Sequence, residues 1–253
     1  MQLKNINKAS ENNIPEDSHV LHFWEPCKFE IDEDYDFVSD NFLFNTFSNL
    51  LYCIAYPLLL LINKFFFNFK IEGKENIENI DSGKVTVSNH VHPMDCTMVG
   101  LGNIPSKTFF TSLETNFKIP IVRRLIKLLN TIPIPQDIKY TKSFMKAIDE
   151  LLQKNKTVHF YPEGSLWPYY SKIRNFKNGA FDFAVRNNVP VVPMVFKFSK
   201  QPKCFSILKS KTNITLSILP PIYPNTLLDK KEKTLDLKNR VREAMVAEVS
   251  KEN

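Results

Sequence analysis

Residues 85–95 read Val85-Thr86-Val87-Ser88-Asn89-His90-Val91-His92-Pro93-Met94-Asp95. Val85-Thr86-Val87 has the composition of a short buried strand. Pro93 suits the first position of a helix, and the pattern predicts that helix over 93–101. Strand, loop and helix in so short a run begin an α/β unit. In an open parallel sheet, the loop after the carboxyl end of a strand is where ligands bind. His90 sits on that loop, and Asp95 falls in the first helical turn.

The same alternation continues downstream. Phe109-Phe110 reads as strand, and 119–129 as a helix with Ile121, Leu125, Leu128 and Leu129 on one side. Residues 141–154 form a clearer helix, with Phe144, Ile148, Leu151 and Leu152 sharing a face. Val158–Tyr161 reads as strand, 177–187 as helix, Val189–Phe198 and Ile214–Leu219 as strands, and 229–250 as a charged final helix. Strands spaced by helices predict an α/β layer with a mostly parallel sheet flanked by helices.

Upstream the character changes. Leu50 to Ile62 carries no charge, with Phe44 and Phe47 before it and Lys64, Phe65, Phe66 and Phe67 after it. That run is short for a membrane span of about 20 apolar residues, and it contains Pro57. Asn45, Ser48 and Asn49 interrupt it further upstream. The reading is a helix in one leaflet, with Lys64 and Lys70 near headgroups; a buried core helix is the alternative. Residues 1–42 form a polar, acid-rich lead-in in which Phe23, Trp24 and Phe29 are expected to pack on the domain. The organisation is thus a lead-in over 1–42, a membrane-associating helical segment over 43–69 and a catalytic domain over 70–253.

Composition narrows the function. The chain is 253 residues long, 43% hydrophobic and 24% charged, with a formal net charge of +6. The basic excess suits a phosphorylated substrate or anionic lipid. With no nucleic-acid-binding motif in view, no nucleic-acid partner is expected. Cys27, Cys53, Cys96 and Cys204 form no C-x-x-C pair, which fits neither a zinc site nor a disulfide framework and suits a reducing compartment. The polar N-terminus has no signal-peptide architecture. The expected location is therefore the cytoplasmic face of a membrane, peripheral or monotopic. Only 6 glycines occur, and Gly164 and Gly179 fall in the segment discussed next.

Two clusters carry chemistry. A neutral imidazole held by a carboxylate can take the proton of an attacking alcohol near neutral pH, which His90 and Asp95 are spaced to do across the loop. Taken alone, Asp95 also suits a helix N-terminus and His90 an ordinary loop histidine. A metal site on His90 and His92 would need further ligands, and no nearby acidic or thiol cluster completes a set. The second cluster, Phe160-Tyr161-Pro162-Glu163-Gly164-Ser165, follows another strand and is succeeded by Arg174, Lys177 and Gly179 at a helix start. A glycine permits close approach, and a helix N-terminus with adjacent Arg and Lys attracts phosphate. Glu163 suits either orienting these cations or binding a substrate hydroxyl.

Taken in order, Asn89-His90 with Asp95, Pro162-Glu163-Gly164-Ser165 and Val191-Val192-Pro193-Met194 resemble the motifs of the glycerolipid acyltransferase family, over about residues 68–222. The likeness is nearest to the 1-acylglycerol-3-phosphate acyltransferases. It implies a glycerol-3-phosphate acyltransferase-like fold, His90 as general base with Asp95 as its partner, and Glu163, Gly164 and Ser165 at the acceptor phosphate. Arg174 and Lys177 join this substrate-binding set. The implied reaction moves a fatty acyl group from acyl-CoA or an acyl carrier protein to a lysophospholipid, with no cofactor and no metal. It also implies an N-terminal membrane anchor. Two positions depart from the family pattern. Leu166-Trp167 follows the serine where Arg is common, and Ile132-Pro133-Ile134-Pro135-Gln136 ends without the usual Arg. Arg174 and Lys177 can replace the first, and Arg123, Arg124 or Lys139 the second. The departures leave room for another lysolipid or glycerol 3-phosphate as acceptor.

Overall fold

The computed structural model describes residues 29–200 and 212–251. Phe23, Trp24, Cys27 and Cys204 lie outside them. Among these residues seven strands form one sheet: β1 (Lys70–Glu72), β2 (Lys84–Ser88), β3 (Thr108–Leu113), β4 (Thr131–Ile134), β5 (Thr157–Phe160), β6 (Val191–Lys200) and β7 (Thr212–Ile218). Their spatial order is β1-β7-β6-β2-β5-β3-β4. Every neighbouring pair is parallel except β6 with β7. The mostly parallel α/β sheet expected from the sequence is therefore the fold.

Among the described residues seven α-helices accompany it: α1 (Phe42–Phe67), the single turn α2 (Glu75–Glu78), α3 (Asp95–Gly102), α4 (Pro120–Leu128), α5 (Thr141–Gln153), α6 (Gly179–Asn187) and α7 (Lys230–Ser250). Period-two alternation of the central strands feeds two cores. Val85, Val87, Val158, Phe160, Val191 and Val195 join one core with Phe144, Ile148, Leu151 and Leu152 of α5, Phe181 of α6 and Leu237, Val241 and Met245 of α7. Val192, Met194 and Phe196 join the other with Met98, Val99 and Leu101 of α3. Each fully buried side chain of this kind contributes roughly 1.5–3 kcal/mol through the water it sheds.

Helix starts differ from expectation in two places, both for local reasons. Pro93 and Met94 form a turn rather than the first helical residues, because the Met94 N–H donates to His92 Nδ1 (3.1 Å). Helix α6 opens at Gly179 rather than at 177, because the Lys177 N–H is spent on the Pro162 carbonyl (2.8 Å).

Helix α1 runs straight through Asn45, Ser48, Asn49 and Pro57, capped by Asn41, whose Oδ1 accepts from Phe44 N (2.8 Å). It is long and apolar enough to cross a membrane by length and composition. One side nonetheless docks on the domain: Ser48, Tyr52 and Asn63 are buried. Leu43, Phe47, Leu50, Ile54, Leu61 and Phe65 are exposed on the outside. The buried-core alternative for this helix does not hold. Of the lead-in, Phe29 stacks on Phe117 (5.7 Å between ring centres), and Ile31 and Phe37 are buried in the α5 core.

Candidate active site

Strands β2 and β5 are parallel neighbours with Val87 opposite Phe160. The loops leaving their carboxyl ends therefore emerge side by side. The first carries Asn89 to Met94, the second Tyr161 to Ser165. Asn89 anchors the first loop by pairing its amide with the β6 backbone: Oδ1 accepts from Phe196 N (2.8 Å) and Nδ2 donates to Phe196 O (3.2 Å). The loops are also stitched together, since Trp167 N donates to His90 O (3.0 Å) and Tyr169 N to Val91 O (2.8 Å).

The turn at Pro93 brings Asp95 back under His90. His90 Nδ1 lies 2.7 Å from Asp95 Oδ2, with the imidazole 23% and the carboxylate 1% exposed. An ionised carboxylate only accepts, so Nδ1 carries the hydrogen and the lone pair of the neutral ring resides on Nε2. The other carboxylate oxygen accepts from Tyr161 OH (2.8 Å). The Tyr161 ring also stacks on the His90 ring, with centres 4.0 Å apart and planes 19° from parallel. Burial, and then the Asp95 charge, push the Tyr161 phenol well above its ordinary range, so it stays a donor.

Beneath this pair lies His159, fully buried, with Thr86 Oγ1 2.9 Å from Nδ1 and Ser88 Oγ 3.2 Å from Nε2. Burial, with a smaller push from a charged His90, lowers its pKa to about 3, which keeps it neutral. Its ring meets the Tyr161 ring edge-on at 4.7 Å. His92 is also buried, and burial lowers its pKa.

Glu163 is fully occupied from within. Its Oε1 accepts from Arg174 N (2.9 Å), and its Oε2 accepts from His90 N (3.2 Å) and from Arg174 Nη2 (2.9 Å). Arg174 further donates from Nη1 to Ser165 Oγ (2.7 Å) and from Nη2 to the Ser165 carbonyl, with its guanidinium 4.6 Å from the Trp167 ring centre. Both members of the Glu163–Arg174 pair are buried. Of the two roles open to Glu163, these bonds correspond to orienting a cation. Helix α7 supports the segment from behind, with Arg242 Nε donating to Arg174 O (3.1 Å).

Gly164 takes φ +79°, a conformation that L side chains rarely adopt, and Lys177 lies across it: a Cβ there would meet Lys177 Cε at 2.9 Å. Lys177 is exposed and so is Gly179, where a Cβ would touch nothing within 4 Å. The structure thus brings His90, Asp95, Glu163, Gly164, Ser165, Arg174 and Lys177 into one neighbourhood. The cations suggested for the second missing arginine rest on neighbouring rings or stand exposed. Arg123 covers the Phe29 ring (5.2 Å), Arg124 is exposed on α4, and Lys139 lies over Tyr140 (4.6 Å).

Three residues had no role assigned from sequence: Asn89, His159 and Tyr161. Asn89 and Tyr161 stand inside the motifs, but their partners lie far away in sequence, Phe196 on β6 and Asp95 at the start of α3. The signal for His159 was a histidine in a strand otherwise closed to charge.

The solved 1-acyl-sn-glycerophosphate (LPA) acyltransferase of Thermotoga maritima shares this fold, with a TM-score of 0.56 and 21% identity over 83% of this chain and 95% of that one. The chloroplastic 1-acyl-sn-glycerol-3-phosphate acyltransferase of Arabidopsis thaliana is 31% identical over 171 residues, which are 59% of this chain and 47% of that protein. A chloroplastic enzyme of the same description from Brassica napus is 32% identical over 131 residues, 51% of this chain and 37% of that protein. The chain thus spans about half or less of the length of these relatives. The model of the Acyltransferase family matches residues 68–197, just over half of the chain and both loops of the site. By that match the chain belongs to the acyltransferase family.

Proposed function

We propose that the chain transfers a fatty acyl group from a thioester, acyl-CoA or acyl carrier protein, to the free hydroxyl of a 1-acylglycerol 3-phosphate, giving phosphatidic acid. The observation that carries this reading is the His90–Asp95 pair held against the Glu163–Arg174 loop. His90 Nε2 takes the hydroxyl proton as the oxygen attacks the thioester carbonyl, and Asp95 stabilises the imidazolium. The tetrahedral intermediate then collapses, the C–S bond breaks, and the imidazolium returns the proton to the departing thiolate. Products are the new ester and a free thiol. Tyr161 is a positioning residue: its bond to Asp95 Oδ1 fixes the carboxylate whose other oxygen holds His90.

Glu163 and Arg174 shape the acceptor loop, while Lys177, exposed beside Gly164, and the N-terminus of α6 meet the phosphate. Leu166 and Gln136, standing where family members commonly carry arginine, favour a second reading with the same chemistry on another lysolipid or on glycerol 3-phosphate. Helix α1 holds the enzyme on one leaflet with its outer face in lipid, and the free thiols of Cys53 and Cys96 suit the cytoplasmic side.

The test is an assay with acyl thioester and lysophosphatidic acid. His90→Ala is expected to lose on the order of 10³-fold in kcat, within the range of general-base removal. Undiminished transfer by that variant overturns the role of His90. A panel of acceptors with and without phosphate separates the two acceptor readings.

A further inference from the structure

Helix α4 is inverted relative to what a water-exposed helix requires. Two of its three cations turn towards the lead-in: Arg123 lies over Phe29, and Lys127 lies over Tyr35 (5.0 Å) while its Nζ donates to Asp36 O (3.0 Å). Its apolar stripe turns out, with Ile121 82%, Leu125 47% and Val122 37% exposed, and no residue of the helix is buried. In water the hydrophobic effect selects the opposite orientation, so a lone exposed leucine means little but a reversed amphipathic helix marks a contact surface.

Helix α4 packs against α1. The C-terminal end of α4 is fastened to α1 by two hydrogen bonds: Ser48 Oγ donates to Leu128 O (2.9 Å) and Tyr52 OH to Leu129 O (2.9 Å). The polar side of α1 is thus used to hold α4, while the apolar sides of both helices remain uncovered among the described residues. Exposed Arg124 stands on α4 beside that apolar stripe, and the chain as a whole carries a net charge of +6.

We propose that α4 is a second membrane contact, placing Ile121, Val122 and Leu125 in the hydrocarbon edge of an anionic bilayer continuous with the face of α1. This rests on the reading of α1 as lipid-bound and extends it from one helix to a two-helix platform. Inserted apolar side chains add affinity through the water they shed, and the basic residues add it through anionic headgroups.

The experiment is sedimentation of the full chain with vesicles of phosphatidylcholine containing phosphatidylglycerol, and with vesicles of phosphatidylcholine alone. Ile121→Ser/Leu125→Ser is expected to lower the partition coefficient about tenfold, with an unchanged melting temperature. Unchanged partition overturns the proposal, as it would if a second copy of the chain or another segment covered α4. Equal partition onto both vesicle types overturns the choice of an anionic surface. A Leu50→Ser/Ile54→Ser/Leu61→Ser variant of α1 separates the two readings. If it loses binding while the α4 variant does not, α1 is lipid-bound and α4 is not; if the parent chain stays in solution with both vesicles, both readings fail. An independent readout is Ile121→Trp, whose added fluorescence is expected to be quenched by acyl-brominated lipid beyond the quenching of the parent chain. No added quenching overturns the proposal.

Discussion

Asp95 serves two side-chain donors with one carboxylate, and that division sets its strength as a partner for His90. Tyr161 OH takes part of the negative charge on Oδ1, leaving less to stabilise an imidazolium on Oδ2. Tyr161→Phe keeps the ring stacked on His90 and removes only the phenol. It is expected to lower kcat several-fold, because the carboxylate loses the bond that fixes its orientation towards His90. Steady-state kinetics check this; an unchanged kcat contradicts the positioning role. His159 gives a stability prediction with a definite sign. Its folded pKa of about 3 lies below the ordinary 6.5, so the unfolded chain binds a proton that the folded chain refuses. Stability is therefore full above the unfolded value and is lost as pH falls from 6.5 towards about 3, by about 1.4 kcal/mol per pH unit from this group. His159→Gln is expected to flatten that dependence, read as a smaller fall in Tm between neutral and acid buffers. The motif residues were legible because their spacing is local. Tyr161 and Asn89 were not, because a hydrogen bond to Asp95 or to Phe196 is set by which strands become neighbours.

At the scale of elements, the two site loops are neighbours because β2 and β5 pair, and they stay in register through Glu163. Truncating Arg174 leaves the Glu163 carboxylate buried without its guanidinium, so Arg174→Ala is expected to cost about 3–5 kcal/mol of stability. Lys177→Ala, at an exposed position, is expected to cost under about 0.5 kcal/mol and instead to raise KM for phosphate-bearing acceptors. Denaturant midpoints and acceptor KM values, measured on both variants, separate a brace from a contact. The central strands and α5 were readable because they are buried and periodic: Phe144, Ile148, Leu151 and Leu152 are all in the core. The two edge strands were not. β1 has three residues, and β4 contains Pro133, whose missing N–H weakens a strand pattern and is readily accommodated at an edge. Helix α4 was legible as a helix with Ile121 and Leu125 on one side, but its pattern could not reveal which way that side faces. Direction is decided by Phe29 and Tyr35, which offer rings to Arg123 and Lys127 from the lead-in.

For the whole molecule, the parallel α/β sheet followed from alternating strand and helix patterns, and the position of the site from the rule that loops at carboxyl ends bind ligands. Helix α1 is where length and burial had to be seen together: Ser48, Tyr52 and Asn63 are buried on the docked side, while most of its large apolar residues are exposed. An enzyme held on a surface this way senses lysolipid per unit area rather than per unit volume. At fixed total lysophosphatidic acid, diluting it with inert detergent in mixed micelles is expected to lower the rate in step with its mole fraction; a rate that follows bulk concentration alone contradicts surface catalysis. One contact gives this arrangement a vertical scale. Asn63 Nδ2 of α1 donates to Thr97 Oγ1 of α3 (3.2 Å), the helix that begins with Asp95. On the proposed seating of α1 in a leaflet, that amide–hydroxyl bond is a spacer that fixes the altitude of the imidazole over the headgroup plane, and so how far the proposed lysolipid acceptor has to rise.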